Sequence, residues 1–244
     1  MMHIGSFELT VIFFRMMNLP AMFQTMMNKI LRDLINKEKM VAFVNNVLVG
    51  METEERYDKI VEEILRRLEE NDLYVKPEKC VWKVGKIGFL GIIIGPNRIE
   101  IEEEKVEGVL SWPVPKTVKD IRKFLGLANY YKRFIKDFAR VARPMNVLTR
   151  KDKKWQWGDE QQKVFDELKK VFMTKLVLAA PDLDKEFRVE ANASNYATGG
   201  VLSMKYSDKK WRPVAFISKS LSDTEQNYEI HDKEMLAVVR CLEA

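Results

Sequence analysis

The sequence predicts an α+β protein, and three observations carry that reading. Apolar residues recur at i, i+3, i+4 spacing in long stretches near residues 20–35, 53–68, 117–130 and 159–173. Between them lie β-branched, glycine-punctuated runs that suit short strands. Prolines at 77, 113, 115 and 181 separate one texture from the next. The chain has 244 residues, 46% of them hydrophobic, which is room for one large domain or two small ones with separate cores.

Taken in order, Pro20 suits the first turn of a helix, and Phe23, Met27, Ile30, Leu34 and Ile35 continue its apolar face. In VAFVNNVLVG, Val41 to Gly50, the apolar run reads as two short strands around an asparagine pair. Asn45-Asn46 suits the two-residue tip, because asparagine accepts positive φ more readily than most residues. Thr53 is placed as an N-cap, with Tyr57, Ile60, Ile64 and Leu68 on one face of the helix behind it. YVKPEKC breaks that pattern, and VWKVGKIGFLGIIIGPNRIEI reads as strands and hairpins. SWPVPKT marks a linker or domain edge.

Thr117 and Asp120 make a capping-box-like start to the next helix. Val118, Ile121, Leu125 and Ala128 share one side of it, and Lys119, Arg122 and Lys123 another. KDKKWQWGDE is a second break, followed by a helix with Val164, Phe165, Leu168, Val171 and Phe172 inward. Beyond Pro181, EFRVEANAS, TGGVLSMKY and WRPVAFISKS are three strands, and NYEIHDKEMLAVVRCLEA begins a helix.

Composition narrows the function classes. No apolar run approaches the roughly 18 residues of a membrane span, and the start lacks a secretory leader pattern. Cys80 and Cys241 lie far apart without CxxC spacing, so a reducing, intracellular setting is expected rather than a disulfide framework or zinc cluster. The net charge is only +5, yet Lys116 to Lys154 holds thirteen Lys/Arg against three Asp. A segment so basic points to a polyanion, since each neutralised phosphate releases counterions.

The order of motifs carries a resemblance. LPAMFQTMMNKILRDL, FVNNVLVG, LYVKPEKC, GFLGIIIG, FLGLANYY, EANASNYATGG and NYEIHDKE follow one another collinearly. The series resembles the polymerase-to-RNase H portion of gypsy-type long-terminal-repeat retrotransposon polyproteins, over nearly the whole chain. The resemblance implies a reverse transcriptase palm at 1–111, a thumb at 112–150, a connection at 151–180 and an RNase H-like domain at 181–244, with palm and RNase H-like parts both incomplete. It also implies a magnesium cofactor and a template-primer or RNA/DNA hybrid as partner.

Residue by residue, the carry-over is mixed. Asn45 and Asn46 occupy the place of an Asp-Asp pair. Two-magnesium nucleotidyl transfer needs hard anionic oxygens to hold ions about 3.5–4 Å apart, and an amide brings no charge. Asn18, Pro20, Phe23 and Gln24 match the nucleotide-binding segment, but Arg15 stands where a glycine would let the backbone approach a ligand. Phe89, Leu90 and Gly91 resemble the turn that grips the primer end. Lys79 lies where related polymerases place a catalytic lysine, although an exposed loop lysine is the plainer reading. In the RNase H-like part Asn192 replaces the first metal-binding Asp, and Glu234 matches the second carboxylate. Lys119, Arg122, Lys123, Lys132, Arg133, Lys136, Arg140 and Arg143 remain as phosphate-tracking candidates. The expectation is a polymerase and nuclease without productive metal binding. A non-catalytic nucleic-acid clamp and a fragment without function are the alternatives.

Overall fold

The helix expected after Pro20 forms in two pieces. In the computed structural model, which describes residues 18–37, 39–150, 153–174 and 176–244, α1 (Leu19–Ile30) carries Pro20 in its first turn and stops at Leu31, and α2 (Arg32–Asn36) resumes it. Leu31 at the break is fully buried. β1 (Met40–Phe43) and β2 (Asn46–Val49) then pair antiparallel, with Met40 opposite Val49 and Phe43 opposite Asn46. α3 (Glu54–Glu70) starts after Thr53 as expected, but the threonine side chain makes no capping bond.

Met27, Leu31, Leu34, Met40, Ile64 and Leu68 form the core of this first unit, which ends at Val84. Arg67 ties α3 to the α1–α2 junction. Its guanidinium grips both Asp33 oxygens, bonds Glu63 at 2.6 Å, and donates to the Ile30 carbonyl at 3.1 Å. The hydrogen bonds from Arg67 hold the Asp33 carboxyl down from its usual 3.8 to about 2.

The second unit runs from Gly85 to Ala244. β3 (Ile87–Phe89), β4 (Ile92–Gly95), β5 (Arg98–Ile101) and β6 (Val177–Ala179) form an antiparallel sheet in that order. Helices α5 (Val118–Tyr130) and α8 (Asp159–Met173) line the core beside it, joined by Val109 of α4 (Glu103–Leu110), with the short α6 (Phe138–Val141) and α7 (Arg143–Val147) between α5 and α8. Neither α4 nor β6 is among the elements expected from the sequence. Ile121, Phe124 and Ala128 of α5 and Phe165, Leu168 and Phe172 of α8 belong to one core. Phe124 and Phe165 lie 4.7 Å apart, centroid to centroid, in the tilted geometry that aromatic quadrupoles favour. At the start of α5 the Thr117 hydroxyl accepts from the Asp120 amide at 3.2 Å. The Asp120 carboxylate in turn accepts from the Lys116 amide, one residue before the position a full capping box would use.

The three strands expected after Pro181 all form. β7 (Phe187–Ala193), β8 (Ala197–Lys205) and β9 (Trp211–Ser220) make an antiparallel meander. After the short α9 (Asp223–Gln226), α10 (Ile230–Leu242) packs on β7 and β8. Gly200 admits α10 closely: a Cβ there would stand 2.3 Å from the Cys241 sulfur. The Tyr206 hydroxyl donates to the Asn97 carbonyl at 3.0 Å, joining the meander to the β4–β5 turn.

Candidate functional site

The first candidate site is the β1–β2 tip, and its register differs from the expectation. The two-residue turn is Val44–Asn45, while Asn46 already belongs to β2 and pairs with Phe43. The residue at positive φ is Val44, at 50°, rather than an asparagine. A β-branched residue resists that region, so something outside the turn must hold it. Gln24 does. Its Oε1 accepts from the Val44 amide at 2.6 Å, and its Nε2 donates to the Ala42 carbonyl at 3.1 Å and to Asn28 Oδ1 at 2.8 Å. The Gln24 amide thus lies along the outer edge of β1 as a neighbouring strand would.

Asn45 and Asn46 are both exposed at this tip, with Asn46 Nδ2 3.4 Å from Asn45 Oδ1. The donor set does not fit a pair of magnesium ions, because two neutral amides supply no charge. Among the described residues no group of three His, Cys, Asp or Glu side chains converges anywhere. Asn18 is the exposed N-cap of α1 without a side-chain capping bond, Pro20 is exposed, and Phe23 packs half-buried on the first core. Lys79 is exposed in a short 3-10 turn, Pro77–Lys79. Arg15 lies outside the described residues.

The second site is the β3–β4 turn. Phe89 pairs with Ile92, leaving Leu90 and Gly91 as the two turn residues, at φ 52° and 82°. Two tyrosines at the end of α5 hold it. Tyr130 donates its hydroxyl to the Leu90 carbonyl at 2.5 Å, and Tyr131 donates to the Gly91 carbonyl at 3.3 Å. A Cβ at Gly91 would stand 2.8 Å from the Tyr131 hydroxyl, so glycine is required for both space and φ. Burial pushes the Tyr131 phenol up from 10.0 to about 12.

The basic segment divides into two sets. Lys119, Lys123, Lys132, Arg133 and Lys136 are exposed, and among the described residues none of them forms an ion pair. The others have structural partners. Arg122 donates to the Thr149 carbonyl at 2.9 Å, Arg140 lies 3.5 Å from Asp137, and Arg143 stacks 3.2 Å above the Tyr196 ring.

Asn192 and Glu234 are not joined by any direct bond. Asn192 sits opposite Gly199, and Gly199 opposite Ser218, so the three share one face of the meander. That face meets the start of α6: Ser218 Oγ accepts from the Ala139 amide at 2.9 Å, and a Cβ at Gly199 would lie 3.1 Å from Asp137 Oδ1. The adjacent Ala191–Gly200 row faces α10 instead. Asn192 therefore stands on the side opposite α10, where Glu234 is exposed.

Residues 4–94 match the family described as reverse transcriptase (RNA-dependent DNA polymerase), and residues 157–244 match the RNase H-like domain found in reverse transcriptase. The chain carries a reverse transcriptase segment and an RNase H-like domain. It is 32% identical over 238 residues to the Transposon Tf2-7 and Tf2-3 polyproteins of Schizosaccharomyces pombe, covering 98% of this chain and 18% of each polyprotein. It thus spans under a fifth of the length of these relatives. Among solved structures, the foamy viral protease-reverse transcriptase in complex with RNA/DNA hybrid superposes with a TM-score of 0.75 at 21% identity, over 94% of this chain and 31% of that one. The same protein in complex with dsDNA gives a TM-score of 0.72 at 21% identity, over 93% of this chain and 47% of that one. These likenesses establish the reverse transcriptase fold, with its RNase H-like domain.

The sequence singles out neither Tyr130 and Tyr131, which lie between the two matched stretches, as contacts of a candidate site, nor Gln24 as the brace of the first tip. The resemblance puts FLGLANYY in the thumb and GFLGIIIG in a separate turn, and the two are hydrogen-bonded to each other. No helix among the described residues is long and apolar enough to cross a membrane.

Proposed function

We propose that this chain is a reverse transcriptase and RNase H-like portion of a gypsy-type retrotransposon polyprotein that has lost catalysis and kept a duplex-binding surface. The observation that carries the reading is the donor set. Amides stand at Asn45, Asn46 and Asn192, and the described residues bring no cluster of carboxylates to any of them. Hard divalent cations take their binding energy from anionic oxygens, so these positions hold magnesium unproductively or not at all. Where related chains join nucleotides, this tip has hairpin geometry without charge.

Binding needs none of that charge. Lys119, Lys123, Lys132, Arg133 and Lys136 remain exposed and form no ion pair among the described residues, and phosphate contacts of this kind position a duplex without reading its sequence. The complex of the foamy viral enzyme with RNA/DNA hybrid supports a hybrid as the ligand class. The Leu90–Gly91 turn, with Phe89 before it, is the part of the surface that meets the primer strand.

Primer extension on an RNA template with magnesium or manganese tests the catalytic half. No product is expected, nor is any cleavage of RNA in a hybrid. The double reversion Asn45→Asp, Asn46→Asp is expected to remain inactive, because Arg15 still stands where a glycine would let the backbone approach the nucleotide. Extension above a template-free control, with contaminating polymerase excluded, would overturn the reading.

A further inference from the structure

We propose that Tyr130 and Tyr131 are positioning residues that lock the Leu90–Gly91 turn to the end of α5, so that turn and basic helix meet a duplex as one rigid surface. The inference rests on the duplex-binding reading above and adds what makes that surface rigid. A turn with leucine at φ 52° is strained on its own, since L-residues pay for the left-handed region. Its two carbonyls, at Leu90 and Gly91, each accept one phenol hydroxyl from consecutive residues of α5 and its C-cap.

The two tyrosines differ in setting. Tyr131 is 2% exposed and rooted in the second core, whereas Tyr130 is 57% exposed and packs edge-on against it at 4.9 Å. The buried ring supplies the anchor, and the exposed ring carries the shorter bond to the turn. Helix α5 also bears Lys119 and Lys123. Any displacement of the turn from α5 must therefore break both hydroxyl bonds, and a duplex held by both elements meets them already aligned. Prealignment of this kind lowers the ordering cost of binding.

The test uses the full chain with Tyr130→Phe, Tyr131→Phe and the double variant, in which each substitution keeps its ring and removes one bond. Hydrogen exchange reads the amides of Gly91 and Ile92 against those of Ile121 and Phe124 in the α5 core. Fluorescence anisotropy reads affinity for a labelled RNA/DNA hybrid at several salt concentrations. The double variant is expected to exchange faster at the turn alone and to bind about three- to tenfold more weakly, the scale of one or two lost hydrogen bonds. Its salt slope stays unchanged, because no phosphate contact is removed. A purely architectural role would loosen the turn and leave affinity untouched, and that result overturns the proposal, as does unaltered exchange. If the parent chain fails to bind the hybrid at all, the duplex-binding reading fails first, and the role of the clasp falls with it.

Discussion

The turns at Val44–Asn45 and Leu90–Gly91 each close an antiparallel hairpin with a bulky residue at positive φ, and each is held from outside by a side chain. At the first, the Gln24 amide bridges Ala42 and Val44 along one strand edge. At the second, two phenols bond the turn carbonyls themselves. The difference lies in what the turns carry. The first presents Asn45 and Asn46, neutral amides that bring no charge to the tip, while its supporting bonds are intact. The second asks only for shape and backbone, and nothing in it is missing. Geometry and chemistry are held by different residues, so loss of one leaves the other in place.

Breaking the second turn gives the largest expected effect. Gly91→Val forces a β-branched residue to φ 82° and drives its Cβ against the buried Tyr131 hydroxyl. A loss of about 2–4 kcal/mol is expected in denaturant unfolding of the second unit, from left-handed strain plus overpacking. The first turn is more lenient. Gln24→Leu leaves the Val44 amide and Ala42 carbonyl without their partner, at a cost of about 1–2 kcal/mol, because both groups are only partly buried. Hydrogen exchange at Val44 should quicken, with no change at Gly91 or Ile92.

A smaller effect distinguishes the regions by pH. Asp33 is held at about 2 by Arg67, which fastens α3 behind the first hairpin. A depressed carboxyl stabilises the fold above its unfolded value near 3.8, and that contribution disappears as pH falls toward 2. Tyr131 behaves oppositely. Its raised phenol favours the fold below 10.0, and the contribution is lost as pH climbs toward 12. Urea midpoints should thus weaken at the acid end for the first unit and at the alkaline end for the second. Asp33→Asn and Tyr131→Phe should each flatten one limb. Asp33 is half-exposed, so solvent screens its share and the acid limb is shallow.

The sequence disclosed local pattern and missed what distance in the chain conceals. Helices α3, α5 and α8 follow from apolar periodicity, because each buries one face against the core, and strands β7–β9 follow from β-rich runs between breaks. α4 escaped because five of the eight residues of EEKVEGVL are charged or glycine and it fully buries only Val109. β6 has three residues and pairs with β5 across more than seventy positions, beyond any local signal. The tip register failed for the same reason. Asparagine propensity favoured Asn45-Asn46, but Gln24, twenty residues earlier, fixes Val44 in the left-handed region instead. That Asn45, Asn46 and Asn192 carry no charge is legible directly, since it is written in the residue itself. Tyr130 and Tyr131 bond carbonyls forty residues away, and no motif announces that.

The central claim, a duplex-binding surface that outlives its chemistry, is tested most directly by a salt titration of hybrid binding in the absence of divalent metal. The parent chain is compared with the triple variant Lys119→Ala, Lys123→Ala, Arg133→Ala, three positions without an ion pair among the described residues. The account predicts sequence-blind binding whose log affinity falls with log salt by roughly 0.9 per phosphate contact, and a slope shallower by up to about three such steps in the variant. Absence of binding, or a slope that the three substitutions leave unchanged, would contradict it.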